Sequence, residues 1–237
     1  MVSAIILFDV DGTLLWSGGA GSLAMRRTIQ QLYGIEDGFR GVEFSGRTDW
    51  AILQDAMERH GLLDAGARSD ATKPALPQEI VRFQESYYRL LEPTLYDVKG
   101  GRALPGVPRL LAALSAREDV RLGLATGNFR EATFIKLRHF GLDGYLSEGG
   151  FGDDAEDRGE MVGIAIKRVV GGAPVDPKSV WVIGDTLLDI EAARANGARA
   201  LAVATGPCSL AELRTAGADL ALEELSDTEA VLAALLG

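Results

Sequence analysis

Four aspartates stand where short apolar runs of the sequence end. Asp9 and Asp11 follow the run IILF, and Asp185 and Asp189 follow the run VWVI. Carboxylates gathered at one place repel one another and disfavour ionising together unless a positive charge offsets them. Ligands that offer only oxygen atoms, without histidine or cysteine, favour Mg²⁺. The pattern therefore predicts a magnesium site that includes Asp9, Asp185 and Asp189.

A third apolar run also ends in polar groups. The segment LATGN ends in Thr126, Gly127 and Asn128. In an open parallel sheet, ligands bind beyond the carboxyl ends of the strands. We therefore expect these three residues to lie beside the aspartates at one edge of the sheet.

The elements that must position these residues alternate along most of the chain. Apolar runs predict strands at residues 5–8, 121–125, 180–183, 200–204 and 219–222, and helical periodicity predicts helices at 107–116, 130–140, 160–170 and 188–195. This alternation indicates an α/β fold, a Rossmann-like parallel sheet with helices on both faces.

The alternation is interrupted between residues 17 and 100, where the pattern is helical throughout. Residues 48–60 and 80–91 have helical spacing, the first beginning at a capping Thr48 or Asp49, and residues 62–77 are typical of a loop. We expect an α/β core of residues 1–16 and 101–237, interrupted after its first strand by an all-helical insert of residues 17–100.

Three motifs, in this order, give the sequence a family resemblance. D-x-D-G-T-L follows the first predicted strand, T-G-N follows the second, and G-D-x-x-x-D follows a later one. The chain resembles the haloacid dehalogenase superfamily over its whole length. Its helical insert resembles the cap domain of the phosphoglycolate-phosphatase-like and phosphomutase-like branch.

The resemblance implies the chemistry of the first motif. Asp9 would be the nucleophile that forms an aspartyl phosphate. Asp11 would be the general acid for the leaving oxygen and then the general base for the attacking water, and its backbone carbonyl would also bind Mg²⁺. The implied enzyme is a Mg²⁺-dependent phosphatase.

The resemblance also implies the roles of the later motifs. Thr126, with Gly127 and Asn128, would hold the phosphoryl oxygens, and Asp185 would anchor the metal. Asp189 would hold a metal-bound water or orient the loop, although an ordinary helix-capping aspartate fits its position equally well.

The family's phosphate-neutralising cation has several candidates here. Lys73-Pro74 resembles the usual Lys-Pro pair but lies out of order, inside the insert. Arg158 stands where a helix should begin, and its guanidinium could bind two phosphoryl oxygens. The alternatives are that Arg158 pairs with a neighbouring acidic residue at the surface, or that Lys167 is the cation. We expect Arg158.

One residue of the insert is a candidate for substrate recognition. In EFSGRTDW, Arg47 stands beside a predicted helix N-terminus, which favours anions. The matching cap loop of the family meets the leaving group, so Arg47 could contact a carboxylate or hydroxyl there. An exposed arginine paired with Glu43 or Asp49 explains the pattern equally well.

Composition limits the remaining function classes. The chain has 237 residues and a formal net charge of −10, which argues against a general nucleic-acid binder. No apolar run approaches the ~20 residues of a membrane helix. Cys208 is the single cysteine, so an internal disulfide is excluded, and we expect a cytoplasmic location.

Three functions remain open at this point. The first is a phosphatase for a small phosphorylated metabolite. The second is a phosphomutase with the same aspartyl phosphate, and the third is a non-enzymatic phosphoacceptor module. The third leaves the helical insert without a function. It would also place the acceptor aspartate after a middle strand, whereas Asp9 follows the first predicted strand. The sequence does not fix the leaving group or the oligomeric state.

Overall fold

A six-stranded parallel sheet forms the centre of the computed structural model, which describes residues 2–63 and 78–237. The strands of the fold are β1 (Ala4–Phe8), β2 (Leu15–Trp16), β3 (Arg102–Ala103), β4 (Val120–Ala125), β5 (Gly149–Gly150), β6 (Val180–Gly184), β7 (Arg199–Val203) and β8 (Leu220–Leu222). The spatial order in the large sheet is β5-β4-β1-β6-β7-β8. β1 is buried throughout because it lies between β4 and β6 with side chains packed on both faces.

Nine α-helices are present in the described residues, together with a short 3-10 helix at Pro177–Ser179. They are α1 (Ala20–Tyr33), α2 (Asp49–Arg59), α3 (Gln78–Asp97), α4 (Val107–Ser115), α5 (Arg130–His139), α6 (Arg158–Val169), α7 (Leu187–Ala195), α8 (Leu210–Thr215) and α9 (Thr228–Leu236). One apolar cluster joins the sheet to α4 and α9, and a second joins the opposite face to α6, α7 and α8. The prediction of an α/β fold with helices on both faces is confirmed.

A separate apolar cluster forms the core of the helical insert. It is built from α1, α2 and α3, and Phe129, Ala132 and Ile135 extend it to α5 of the α/β core. The two short strands β2 and β3 pair antiparallel where the chain leaves the core and returns to it. The described residues of the insert after the first strand form helices and no strand. The boundary at residues 17 and 100 stays a prediction.

Two predictions concern residues beyond the described ranges. Lys73-Pro74 lies outside the described residues, as does most of the loop predicted at residues 62–77. None of the described helices has the length and hydrophobicity that crossing a membrane would require.

Candidate active site

Neighbouring strands bring the predicted residues to one edge of the sheet. β1 lies between β4 and β6, and all three run parallel. Their carboxyl ends therefore place Asp9, Thr126 and Asp185 side by side. All three residues are buried.

Three of the aspartates are close enough to share one cation. One carboxylate oxygen from each of Asp9, Asp185 and Asp189 lies within 4.8 Å of the others. Burial is the main cause that raises the pKa of Asp9 to about 6, and the charge of Asp189 adds to it. Burial and the charge of Asp9 also raise the pKa of Asp185 well above its usual range. A divalent cation would reverse both effects, so the donor set fits Mg²⁺.

Asp189 has partners for both of its oxygens. Its Oδ2 accepts hydrogen bonds from the backbone N–H of Thr186, at 3.0 Å, and from the Thr186 hydroxyl, at 2.7 Å. Its Oδ1 accepts from the Arg158 guanidinium. Asp189 thus completes a capping box at the start of α7. This arrangement favours orientation of the loop over direct ligation of a metal.

Arg158 is the first residue of α6, and its side chain points into the site. Nη2 lies 3.2 Å from Oδ2 of Asp9 and 2.5 Å from Oδ1 of Asp189, while Nη1 donates to the carbonyl of Gly46 at 3.0 Å. The residue is only 8% exposed, so the surface arginine weighed as an alternative is not what the structure has. Lys167 is exposed on the same helix.

The T-G-N segment lies beside the first motif. Nδ2 of Asn128 donates to Oδ2 of Asp11 at 2.9 Å, and the side chain of Thr126 opposes the burial that raises the pKa of Asp9. Asn128 also donates to the hydroxyl of Thr126 at 3.0 Å. Gly127 allows a close approach of the insert, because a Cβ there would lie 2.4 Å from the carbonyl oxygen of Arg47.

Asp11 is held by three donors. Ser17 Oγ donates to Oδ1 at 2.7 Å, and Lys136 Nζ lies 2.5 Å from Oδ2, the oxygen that also accepts from Asn128. Burial works to raise the pKa of Asp11, but the charge of Lys136 and these hydrogen bonds outweigh it and hold the pKa below its usual value.

The segment of the insert that contains Arg47 rests against the core. The backbone N–H of Asp49 donates to the carbonyl of Gly127 at 2.6 Å, and Oδ2 of Asp49 accepts from the backbone N–H of Phe129 at 2.9 Å. Thr48, not Asp49, caps α2. The guanidinium of Arg47 pairs with Asp55 at 2.8 Å. That partner differs from the Glu43 or Asp49 side chains that the sequence suggested.

A cavity of about 590 Å³ lies between the insert and the sheet edge. One wall is polar and comes from the core, and the other wall comes from the insert. The polar wall contains Asp9, Asp11, Asp185, Arg158, Lys136 and Asn128. The insert side is mixed: Met25, Phe44 and Ile52 contribute apolar surface, and Arg47, Asp49 and three serines contribute polar groups. The cavity can therefore accept a charged group at the sheet edge and a leaving group with both polar and apolar parts toward the insert.

Two residues that the structure places at the site, Lys136 and Gly206, were not predicted from the sequence. Lys136 comes from the middle of α5, four residues after Ala132 and three after Thr133, and therefore lies on the buried face of that helix. The sequence signal that could have identified Lys136 is a lysine on the apolar face of a predicted helix. Gly206, in the loop after β7, packs so closely on Asp185 that a Cβ would lie 1.7 Å from Oδ2. No pattern in the sequence indicates that contact.

Known proteins are similar to this chain over most of its length. The family model described as haloacid dehalogenase-like hydrolase matches residues 4–197. A protein described as phosphoglycolate phosphatase from Synechococcus elongatus is 28% identical over 222 residues, covering 94% of this chain and 93% of its own. One with the same description from Aquifex aeolicus is 25% identical over 199 residues, covering 82% of each chain.

A solved structure shows the same fold. It is described as a "putative beta-phosphoglucomutase" from Thermotoga maritima and is 25% identical, with a TM-score of 0.60. The match covers 98% of this chain and 100% of that one. The likeness therefore includes both the sheet and the helical insert.

Proposed function

Because the chain belongs to the haloacid dehalogenase-like hydrolase family, we propose that it is a metal-dependent phosphatase that acts on a small phosphomonoester through an aspartyl phosphate on Asp9. The observation that carries this proposal is the pairing of a buried carboxylate with a buried guanidinium at the sheet edge. Asp9 and Arg158 meet at 3.2 Å beside the cavity, with Asp185 next to them.

In the first step, a carboxylate oxygen of Asp9 attacks phosphorus as the bond from phosphorus to the leaving oxygen breaks. In its protonated form, which is the minor one near pH 7 because Lys136 and the hydrogen bonds outweigh burial and lower its pKa, Asp11 gives its proton to that oxygen, so the leaving group departs as a neutral alcohol. Arg158, Thr126 and the Gly127 amide would stabilise the negative charge on the phosphoryl oxygens. The product is an acyl phosphate, the mixed anhydride of phosphate and the Asp9 carboxylate.

In the second step, water attacks the phosphorus of the aspartyl phosphate. Asp11, now a carboxylate, takes a proton from this water. The bond between phosphorus and the Asp9 oxygen breaks, which releases inorganic phosphate and restores the Asp9 carboxylate. The insert, seated on the core through Asp49, would limit the access of other water to the site.

The carboxylates of Asp9 and Asp185, with the backbone carbonyl of Asp11, would hold Mg²⁺. The ion would neutralise charge on the phosphoryl oxygens during transfer. Asp189 would act indirectly, by fixing Arg158 and the loop at the start of α7.

The relatives support a proposal for the substrate class. The two relatives described as phosphoglycolate phosphatase support a small phosphomonoester, and 2-phosphoglycolate is the first compound to test. A phosphomutase is the second candidate. The similarity to the Thermotoga structure and the contact of the insert with Gly127 favour it, because a mutase must shield its phosphoenzyme from water.

The test is a panel of phosphomonoesters, assayed for released phosphate with and without Mg²⁺. We expect release with Mg²⁺ and none in excess EDTA, and Ca²⁺ should replace Mg²⁺ poorly because its larger shell is more loosely arranged. Full turnover in EDTA would contradict the metal assignment. Conversion of a sugar phosphate into its isomer without release of phosphate would identify a mutase.

The nucleophile has a separate test. Asp9→Asn should abolish turnover and the acid-stable phosphoenzyme detected by mass spectrometry. The matched control is Asp176→Asn, which exchanges the same groups at a residue near β6 and away from the cavity. Near-normal turnover by Asp9→Asn would show that another group is the nucleophile.

A further inference from the structure

Lys136 is a buried ammonium for which the family motifs have no place. Its side chain is 3% exposed, and Nζ contacts Oδ2 of Asp11 at 2.5 Å and Oδ1 of Asn128 at 2.6 Å. Transfer of an ammonium out of water opposes folding, and a buried ion pair is often no more stable than apolar residues of similar size. Stability is thus a weak explanation for a lysine at this position, and its partner Asp11 offers a better one.

The Asp11 carboxylate needs such a partner because of where it lies. It follows the end of β1, and its side chain is one third exposed, beside the cavity. Ser17 holds one oxygen, while Asn128 and Lys136 hold the other. These donors act from opposite sides, so together they restrict rotation of the carboxylate.

The two buried cations of the site pair with different carboxylates. Arg158 pairs with Asp9 and Asp189. In the part of the chain that the structure describes, the hydrogen-bond acceptors of Lys136 are Asp11 and Asn128. Lys136 therefore lies on the side of the acid–base group and away from the proposed nucleophile.

The insert closes over this pair. A Cβ on Gly21 of α1 would lie 3.2 Å from the Nζ atom of Lys136 and 3.6 Å from the hydroxyl of Tyr87 in α3. Nζ is thus enclosed between α5 and the helices of the insert. Its contact with Asp11 is fixed by the packing of the insert on the core.

We propose that Lys136 is a positioning residue for Asp11, which holds the Asp11 carboxylate at the leaving-group oxygen and does not itself bind the transferred phosphoryl group. This inference rests on the proposed function, in which Asp11 protonates the leaving oxygen. A displacement of a reacting group by about 1 Å can cost about 10²-fold in rate, so the orientation of one carboxylate is enough to matter.

The test compares two probes that differ in their need for a proton. 4-Nitrophenolate leaves readily, whereas phenolate resembles the tyrosine side chain, with a pKa near 10, and needs protonation. Lys136→Met should lower kcat/KM for phenyl phosphate about 10²-fold and for 4-nitrophenyl phosphate less than about 5-fold. The comparison uses kcat/KM because this ratio depends only on the steps up to formation of the phosphoenzyme. The later hydrolysis of the phosphoenzyme does not affect it. Lys167→Met makes the same change at an exposed lysine and should alter neither value.

A double-mutant cycle separates action through Asp11 from direct action on the phosphoryl group. Asp11→Asn should show the same selective loss on phenyl phosphate, and adding Lys136→Met to it should cost less than about 3-fold more. Equal losses on the two probes from Lys136→Met, or losses that multiply in the double variant, would overturn the inference.

Two further measurements guard against misfolding of the Lys136→Met variant. Thermal unfolding shows whether Lys136→Met is folded, and Lys136→Gln, which keeps a hydrogen-bond donor, is assayed in parallel and should recover part of the activity on phenyl phosphate. If Asp11→Asn itself shows no selectivity between the probes, the proposed role of Asp11 is wrong. If Asp11→Asn is selective and both Lys136 variants are not, only the inference about Lys136 fails.

Discussion

Removal of the Arg158 guanidinium should damage both catalysis and stability. Nη2 lies 3.2 Å from a carboxylate oxygen of Asp9, and the arginine is 8% exposed. At an effective dielectric constant of about 20, two unit charges at this distance attract by about 5 kcal/mol before the cost of desolvation. Breaking a buried pair by removing one partner costs about 3–5 kcal/mol, because the remaining charge is left uncompensated.

Arg158→Ala should therefore lower the free energy of unfolding by about 3 kcal/mol near pH 7, as measured by urea denaturation. It should also lower kcat/KM by about 10²–10³, the usual effect of removing one preorganised donor from a developing charge. Arg158→Lys keeps the charge but not the forked geometry, so we expect an intermediate loss.

The control for Arg158 is Lys167→Ala, which removes an exposed cation from the same helix. It should leave both the unfolding free energy and kcat/KM close to their original values. Guanidinium ion added at low concentration should restore part of the activity of Arg158→Ala. Two results would refute the assignment of Arg158 to the site. One is an Arg158→Ala variant that keeps more than about a third of kcat/KM, and the other is a larger loss in Lys167→Ala than in Arg158→Ala.

Three other predictions concern the contact between the insert and the core. Burial raises the pKa of Asp49 to about 7, above the 3.8 of the unfolded chain. Its contribution to stability is therefore full below about pH 4 and is lost as the pH rises through 7, by at most about 4 kcal/mol. The unfolding free energy of the wild type relative to Asp49→Asn should fall over this range, and a difference that is constant from pH 4 to 8 would contradict the pKa. Gly127→Ala would place its Cβ 2.4 Å from the backbone carbonyl oxygen of Arg47, so the insert must shift, and both kcat/KM (at least ~10-fold) and the melting temperature should fall. Unchanged kcat/KM would show that this contact does not matter for turnover. Arg47→Ala should lower kcat/KM for the substrate found in the panel but hardly for 4-nitrophenyl phosphate, and equal losses on both would remove Arg47 from substrate recognition.

The large sheet could be predicted from sequence because its strands are buried on both faces. Continuous apolar runs such as VWVI mark β6 directly, and glycines and capping residues mark the ends of several helices. β5 was not predicted because it consists of Gly149 and Gly150, which have no side chains to form a pattern. A Cβ on Gly149 would lie 2.2 Å from the carbonyl oxygen of Leu124, so the strand depends on a close backbone approach.

In the site, too, some residues could be predicted from local sequence and others depend on tertiary packing. Asp9, Asp11 and Asp185 could be placed together because the ends of neighbouring parallel strands meet at one edge. Lys136 could not, because its position depends on how α5 packs under the insert. The direction of the Arg158 side chain, toward Asp9, is also a tertiary property.

The pairing of β2 with β3 gives the helical insert the character of an exchangeable module. Trp16 and Arg102 face each other in the antiparallel pair, so the chain returns to within one strand spacing of the point where it left. A two-residue turn could in principle join these residues and omit everything between them. Such a shortened chain would keep the sheet and the motif loops but lose one wall of the cavity. Evolution could use the same junction to exchange one insert for another, which would alter the choice of leaving group without rebuilding the centre that cleaves the phosphate bond.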